Sequence, residues 1–279
     1  MNFDNKLRQS ISETGSVLCV GLDPNPFFLP HIITTAYKDT ATQVLEFCRG
    51  VIKASSGYAC AYKINTAYFE ALGNSGFEIL GQVKEMIPPA KIVIADAKRG
   101  DVGHTAEQYK SAFFDVFNFD AITLSPLMGF DTLKPYLNAK DKAIFVLTLT
   151  SNKGAEDFFL RPFNQSGNLS CFIAENLKKL AKVSKTSLGM VIGATQDTAG
   201  PVLNKFPESH LLIPGVGAQG GSLKKLETVL RNHSGIPLIS ISRGILYPEA
   251  TNGFNWKELV EKQSFYYHQQ LQSISQKYV

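Results

Sequence analysis

The run KIVIAD at residues 91–96 is one of eight short apolar stretches that decide the predicted fold of this chain. Its apolar residues are continuous instead of alternating with polar ones, which is typical of a strand buried on both faces in a parallel sheet. The other seven runs are SVLCVGL (16–22), YACAYKI (58–64), DAITLS (120–125), AIFVLTL (143–149), GMVIGA (189–194), HLLIPG (210–215) and IPLISI (236–241).

Helical patterns separate these runs and are long enough to connect parallel strands, for example at residues 40–54, 77–87, 106–117, 171–183 and 222–232. Eight strand–helix alternations predict an α/β fold of the (β/α)8 TIM-barrel type. The 279 residues suit one such barrel, so we expect a single catalytic domain over residues 1–279. A doubly wound open sheet is the alternative, because periodicity does not show whether a sheet closes.

Composition and charge are typical of a globular protein and do not indicate a nucleic-acid-binding or membrane-spanning one. Hydrophobic residues make up 44% and charged residues 19%, as in a folded globular protein. The net charge of +4 is small and its basic residues are scattered, so we expect no nucleic-acid partner. The four cysteines, which we interpret as reduced core thiols, form no CxxC pair. No apolar stretch is long enough to span a membrane, and the pattern predicts a cytoplasmic enzyme.

Charged residues stand at the ends of the first three predicted strands. The third run continues as ADAKRGD, which carries Asp96 and Lys98 two residues apart and Asp101 three residues later. Lys63 closes the second run and Asp23 closes the first. In a barrel the carboxyl ends of the strands form the catalytic face, so these residues predict an active site. A solvated acid–base cluster is the alternative interpretation of the third-strand motif alone.

Two further segments predict a phosphate site. The glycine-rich PGVGAQGG, residues 214–221 with Gly217 among them, follows the seventh run, and Ser242 with Arg243 follows the eighth. Glycines let backbone N–H groups turn toward an anion, and arginine adds a forked, charged contact. Barrels commonly bind phosphate after strands seven and eight. The long, turn-rich segment 151–170 predicts a loop over the active face.

The segment IADAKRGDVGHT, residues 94–105, resembles the signature of the orotidine 5'-phosphate decarboxylase family. The similarity extends over most of the chain, and SPLMGFDTLKPY at residues 125–136 resembles the longer bacterial branch of that family. The other matching motifs are VGLDPNP (20–26), YKIN (62–65), LTSN (149–152), PGVGAQGG (214–221) and SRGI (242–245).

The resemblance implies a charged tetrad and a shared site. The tetrad would consist of Lys63, Asp96, Lys98 and Asp101, and Asp101 would reach into the site of a partner subunit. The active unit would therefore be a homodimer. The same resemblance implies substrate contacts from Asp23, Lys63 and Thr105 to the ribose (Thr105 from across the interface), Ser151 to the pyrimidine, and Gln219 and Arg243 to the phosphate.

The activity implied is the decarboxylation of orotidine 5'-monophosphate to uridine 5'-monophosphate and CO₂ in de novo pyrimidine biosynthesis. No cofactor and no metal are expected; Lys98 would offset the charge at C6 of the ring and donate the proton. A magnesium-dependent sugar-phosphate decarboxylase or hexulose-phosphate synthase of the same barrel superfamily is the enzyme alternative. A non-catalytic barrel that senses nucleotide is the alternative from another class. Lys63 and the RGDVGHT continuation favour the nucleotide enzyme.

Overall fold

The computed structural model describes residues 1–193, 199–216, 223–248 and 255–279. Eight parallel strands follow one another in chain order around a closed barrel, which confirms the predicted (β/α)8 fold and excludes the open sheet. The strands are β1 (Leu18–Leu22), β2 (Ala61–Asn65), β3 (Ile92–Arg99), β4 (Ala121–Leu124), β5 (Ala143–Leu149), β6 (Ser187–Ile192), β7 (His210–Pro214) and β8 (Pro237–Ile241). Every predicted run overlaps a strand, although β2, β3 and β6 extend beyond their runs.

Helices occupy the connections between the strands. Those in the described residues are α1 (Phe3–Thr14), α2 (His31–Ala36), α3 (Thr40–Ser55), α4 (Thr66–Glu70), α5 (Gly76–Met86), α6 (Gly103–Lys110), α7 (Leu169–Ala181), α8 (Ala199–Lys205), α9 (Leu223–Val229), α10 (Arg243–Leu246), α11 (Trp256–Gln270) and α12 (Gln272–Ser275). A π-helical segment, Ser111–Val116, continues α6. The long loop predicted after β5 contains two short 3-10 turns and an isolated antiparallel bridge between Pro162 and Asn168 before α7 begins. None of the helices in the described ranges has the length and apolarity that a membrane crossing requires.

The helix α3 illustrates how local sequence produces these elements. The side chain of Asp39 accepts a hydrogen bond from the Thr42 N–H and so caps the first turn. Val44, Phe47 and Val51 recur at helical spacing and are fully buried. Burying each such side chain contributes about 1.5–3 kcal/mol, which places this face of α3 in the core.

The chain divides into two compact units, each built from two segments. The β1–β3 unit comprises Lys6–Ala97 with Ile241–Val279, and the β4–β8 unit comprises Met1–Asn5 with Lys98–Ser240. That the whole chain acts as one domain stays a prediction.

Within the β1–β3 unit the strand register places the ends of the three strands side by side. Gly21 of β1 pairs with Lys63 of β2, and Asn65 at the end of β2 pairs with Asp96 of β3. The strands are buried along nearly their whole length, in agreement with their continuous apolar sequences. The charged residues at their carboxyl ends therefore meet one another in a largely dry environment.

Within the β4–β8 unit the strands pair in the same parallel manner from β4 to β8. The pairing of β5 with β6 is irregular between Leu147 and Leu149, just before the loop that carries Ser151. The four cysteines are free and buried in the two units, as the sequence predicted.

Candidate active site

Three of the predicted site residues lie in contact at the carboxyl ends of β1, β2 and β3. The Lys63 ammonium donates a hydrogen bond to Asp96 Oδ2 over 2.8 Å and lies 3.7 Å from Asp23 Oδ1. Lys63 is only 5% exposed and Asp96 only 8%. Charges this deeply buried persist only when they are paired, so the cluster depends on all three side chains.

The electrostatics of this cluster keep Lys63 charged. Burial by itself lowers the pKa of Lys63, but the carboxylates of Asp96 and Asp23 outweigh that effect and the net shift is upward. The ammonium is therefore a stable cation and a weak acid. Its chemical role is to fix the position of the two carboxylates and to supply positive charge.

Asp23 has a carboxylate oxygen that lacks a hydrogen-bond donor among the described residues. Its Oδ1 atom is buried, and no group among the described residues donates a hydrogen bond to it. Because the Lys63 ammonium stands 3.7 Å away, that ion pair leaves the acceptor unsatisfied. A buried carboxylate oxygen without a donor is costly, and a hydroxyl group of a bound molecule would satisfy it.

Lys98 lies near the end of β3 and belongs to the β4–β8 unit. Its side chain is exposed, and its φ of 48° lies in the left-handed region, which is unusual for a residue with a Cβ. The backbone N–H of Lys98 donates a hydrogen bond of 2.9 Å to Thr123 Oγ1 on β4. Such strain costs about 1–3 kcal/mol and is concentrated at functional sites.

The residues that follow Lys98 are held by contacts that the sequence reasoning missed. The Arg99 guanidinium lies 5.2 Å from the centre of the Tyr109 ring and 5.9 Å from that of Phe113. The Ser125 N–H donates to the Arg99 carbonyl over 2.7 Å, and a Cβ at Gly100 would stand 2.8 Å from the Ser125 carbonyl oxygen. Tyr109 and Phe113 are four residues apart, so they lie on one face of a helix, and this spacing could have predicted an aromatic contact for Arg99.

Asp101 and Thr105 also lie in the β4–β8 unit. Asp101 Oδ1 accepts a hydrogen bond from the Val102 N–H over 2.8 Å, and Thr105 stands in the first turn of α6. Both side chains are half-buried.

Ser151 begins the loop after β5, in the β4–β8 unit, and its position depends on a glycine. A Cβ at Gly193 would stand 2.6 Å from the Ser151 backbone, so only glycine fits at the end of β6. The Gly193 N–H donates to the Leu149 carbonyl over 2.7 Å and fixes this approach. Gly193 is therefore a second residue that the sequence reasoning missed.

The structure describes two of the residues that were predicted to bind phosphate, Ser242 and Arg243. Ser242 precedes α10 and Arg243 is its first residue, and the Arg243 side chain is exposed. Ser242 Oγ occupies the space that a Cβ at Gly21 would need, so the segment that begins α10 approaches β1 closely within the β1–β3 unit. Gly217 and Gln219, the other predicted residues of this site, lie outside the described residues.

The sequence of this chain matches a known protein family and its members. Residues 16–250 match the model of the "Orotidine 5'-phosphate decarboxylase / HUMPS family". A protein of Dehalococcoides mccartyi named orotidine 5'-phosphate decarboxylase is 42% identical over 258 residues, covering 91% of this chain and 92% of the relative. A protein of the same name from Herpetosiphon aurantiacus is 40% identical over 261 residues, covering 93% and 94%.

Solved structures agree with the sequence relatives. The OMP decarboxylase of Leishmania donovani superposes with a TM-score of 0.81 at 31% identity and covers 99% of both chains. The UMP synthase of the same organism superposes with a TM-score of 0.83 at 33% identity, over 99% of this chain and 57% of that one. The chain belongs to the orotidine 5'-phosphate decarboxylase / HUMPS family.

Proposed function

We propose that this chain decarboxylates orotidine 5'-monophosphate to uridine 5'-monophosphate and CO₂ without a cofactor, as a step of de novo pyrimidine biosynthesis. The observation that carries the proposal is the buried contact of Lys63 with Asp96 and Asp23 in a chain whose relatives bear that enzyme's name. The reaction needs fixed charge near a developing carbanion, and this cluster provides a rigid, paired set of charges.

The chemical step begins when the bond between C6 of the ring and its carboxylate breaks. CO₂ leaves and the electron pair stays on C6, where it lies in the ring plane and is poorly delocalised. We assign the proton donor to Lys98: its ammonium offsets the charge at C6, transfers a proton to that carbon to form the C6–H bond, and regains a proton from solvent.

The choice between the two lysines rests on their surroundings. Lys63 is buried, hydrogen-bonded to Asp96, and has a raised pKa, all of which make it a poor proton donor. Lys98 has an exposed side chain at the end of the same strand that carries Asp96. We therefore assign Lys63 and Asp96, together with Asp101 from the second subunit of the proposed homodimer, to holding the Lys98 ammonium in place.

We assign substrate binding to the residues that the family resemblance implies. Asp23 Oδ1, which is buried without a donor, would accept a hydrogen bond from a ribose hydroxyl. Ser151 would bind the pyrimidine, Thr105 would also bind the ribose, and Arg243 would hold the phosphate together with Ser242, Gly217 and Gln219. Binding energy from the remote phosphate would organise the reacting end of the substrate.

We also propose that the active unit is a homodimer in which Asp101 and Thr105 complete the site of the partner. Large apolar side chains are exposed close to these residues in sequence and after β4: Val102 is 47% exposed, Leu127 56% and Met128 57%. Exposed apolar surface of this kind often marks an interface between proteins.

A hybrid-dimer experiment tests the shared site. Lys98→Ala and Asp101→Asn protomers should each be inactive alone. After mixing and subunit exchange, half of the dimers are hybrids, and each hybrid has one site free of both changes, so about a quarter of wild-type activity should return. If Asp101 serves its own subunit, mixing will restore nothing.

For the location of the enzyme we propose the cytoplasm. Four free, buried thiols suit a reducing compartment. Cell fractionation with an antibody against the chain would test this.

The activity itself is tested by incubating purified protein with orotidine 5'-monophosphate and a chelator while following the ultraviolet absorbance of the pyrimidine. Lys98→Ala should lower kcat by roughly a thousandfold or more, whereas Lys53→Ala, which removes an exposed lysine from α3, should leave it unchanged. If the folded protein does not turn over orotidine 5'-monophosphate but acts on sugar phosphates in the presence of magnesium, the proposed function is wrong. The chain would then be the alternative enzyme, a magnesium-dependent sugar-phosphate decarboxylase or hexulose-phosphate synthase.

A further inference from the structure

Tyr247 stands just after α10 and uses its hydroxyl group to hold the loop that follows β1. The hydroxyl accepts a hydrogen bond from the Asn25 N–H over 2.6 Å and donates one to the Asp23 carbonyl oxygen over 2.8 Å. The partners are 222 and 224 residues away in the chain. One side chain thus fixes the backbone on both sides of Pro24.

The aromatic ring of Tyr247 is fixed by packing. It stacks on Phe47 with the ring centres 5.6 Å apart and the planes nearly parallel, and it meets Phe28 edge to face at 5.7 Å. Burial raises the pKa of the Tyr247 hydroxyl, and the hydrogen bond from Asn25 offsets this only in part. The hydroxyl therefore keeps its proton near neutral pH and can donate to Asp23.

The backbone of Tyr247 is hydrogen-bonded to that of Arg243, the residue predicted to bind phosphate. Its N–H donates to the Arg243 carbonyl oxygen over 3.1 Å and closes the single turn of α10. A second contact joins β1 to the segment that contains α10, because Ser242 Oγ lies where a Cβ at Gly21 would be. All of these residues belong to the β1–β3 unit.

We propose that Tyr247 is a positioning residue that sets the separation between Asp23 and Arg243. The inference rests on the proposed function, in which Asp23 binds the ribose and Arg243 binds the phosphate of one nucleotide. The ribose and phosphate are linked covalently, so both contacts form at full strength only if the protein holds the two residues at the matching distance. A misplacement of about 1 Å can cost on the order of a hundredfold in rate.

The variant Tyr247→Phe tests the proposal because it keeps the ring and its packing and removes only the two hydrogen bonds. We expect kcat/KM for orotidine 5'-monophosphate to fall about tenfold, mainly through KM. The same change in an Arg243→Ala background should lower kcat/KM by less than about threefold, because the phosphate contact that it positions is already absent.

A matched control is Tyr62→Phe in the same unit. The Tyr62 hydroxyl is also buried and hydrogen-bonded, to Ser55 over 2.8 Å and to the Ile52 carbonyl over 3.3 Å, but these partners lie at the end of α3. We expect a comparable loss of thermal stability in both variants and a loss of kcat/KM only in Tyr247→Phe. Should Tyr247→Phe fail to fold, Phe28→Ala removes an exposed ring that packs edge to face on Tyr247, and it should show a smaller loss of kcat/KM with the same dependence on Arg243.

The outcomes separate the inference from the proposed function. An inactive wild-type protein with orotidine 5'-monophosphate would overturn the function. An active wild type, with an equal loss of kcat/KM for Tyr247→Phe in both backgrounds or with no loss at all, would overturn only the role of Tyr247. A loss that shrinks in the Arg243→Ala background, with wild-type kinetics for Tyr62→Phe, would establish it.

Discussion

Replacing Lys98 with glycine is expected to give a more stable protein than replacing it with alanine, although both variants should be inactive. Lys98 has a φ of 48°, a backbone conformation in which a Cβ crowds the following carbonyl oxygen. Glycine has no Cβ and adopts this conformation freely. The two variants lack the same ammonium group, so the difference between them reports the backbone and not the lost side-chain contacts.

The magnitude follows from two opposing effects. The left-handed conformation costs a residue with a Cβ about 1–2 kcal/mol, which glycine avoids. Glycine in turn makes the unfolded chain more flexible, which costs about 0.4–1 kcal/mol of stability relative to alanine. The midpoints of these ranges, about 1.5 and about 0.7 kcal/mol, give a net expectation that the free energy of unfolding of Lys98→Gly exceeds that of Lys98→Ala by about 0.8 kcal/mol.

Urea denaturation of both variants measures this difference, provided that their m-values agree. The neighbouring Ala97→Gly is the control, because Ala97 is buried in β3 and is not among the described residues with a positive φ. There glycine should lower the free energy of unfolding by about 1 kcal/mol. If Lys98→Gly proves less stable than Lys98→Ala by a similar margin, Lys98 carries no backbone strain.

Three other expectations follow from the described contacts. Asp96→Asn should lower the free energy of unfolding by about 3 kcal/mol and reduce kcat at least a hundredfold, because the buried Lys63 ammonium loses its closest carboxylate. Full turnover of this variant at saturating substrate would contradict the expectation. Gly193→Ala should displace Ser151 and reduce kcat/KM about tenfold, whereas Gly200→Ala, which has open space for a methyl group, should have wild-type kinetics. Burial lowers the pKa of His233 below its ordinary 6.5, so the stability this histidine contributes is present above pH 6.5 and is lost as pH falls through the folded-state value. Urea denaturation at about pH 7.5 and about pH 5.5 should show a smaller acid-induced loss for His233→Gln, and equal losses would rule out this linkage.

Local sequence patterns were sufficient for the strands and for the position of the charged residues along them. Each apolar run is a local property of the chain, and all eight overlap a strand. The positions of Asp23 and Lys63 close to strand ends follow from where their runs stop, whereas β3 continues beyond Asp96 to Arg99. Side chains alternate between the two faces only where the backbone is extended, so the two-residue spacing of Asp96 and Lys98 does not predict the direction of the Lys98 side chain, whose backbone is left-handed.

Contacts between distant segments could not be predicted in this way. The register of β2 against β3 brings Lys63 within 2.8 Å of Asp96, and nothing in either strand's own sequence specifies that distance. The bridge from Tyr247 to the loop after β1, and the approach of Gly193 to Ser151, likewise join residues that only the folded chain brings together. The sequence by itself determined which strands form and which charged residues end them, because these depend on local periodicity. The tertiary structure decided the pairing, burial and strain of those residues, because these depend on register and packing between segments far apart in the chain.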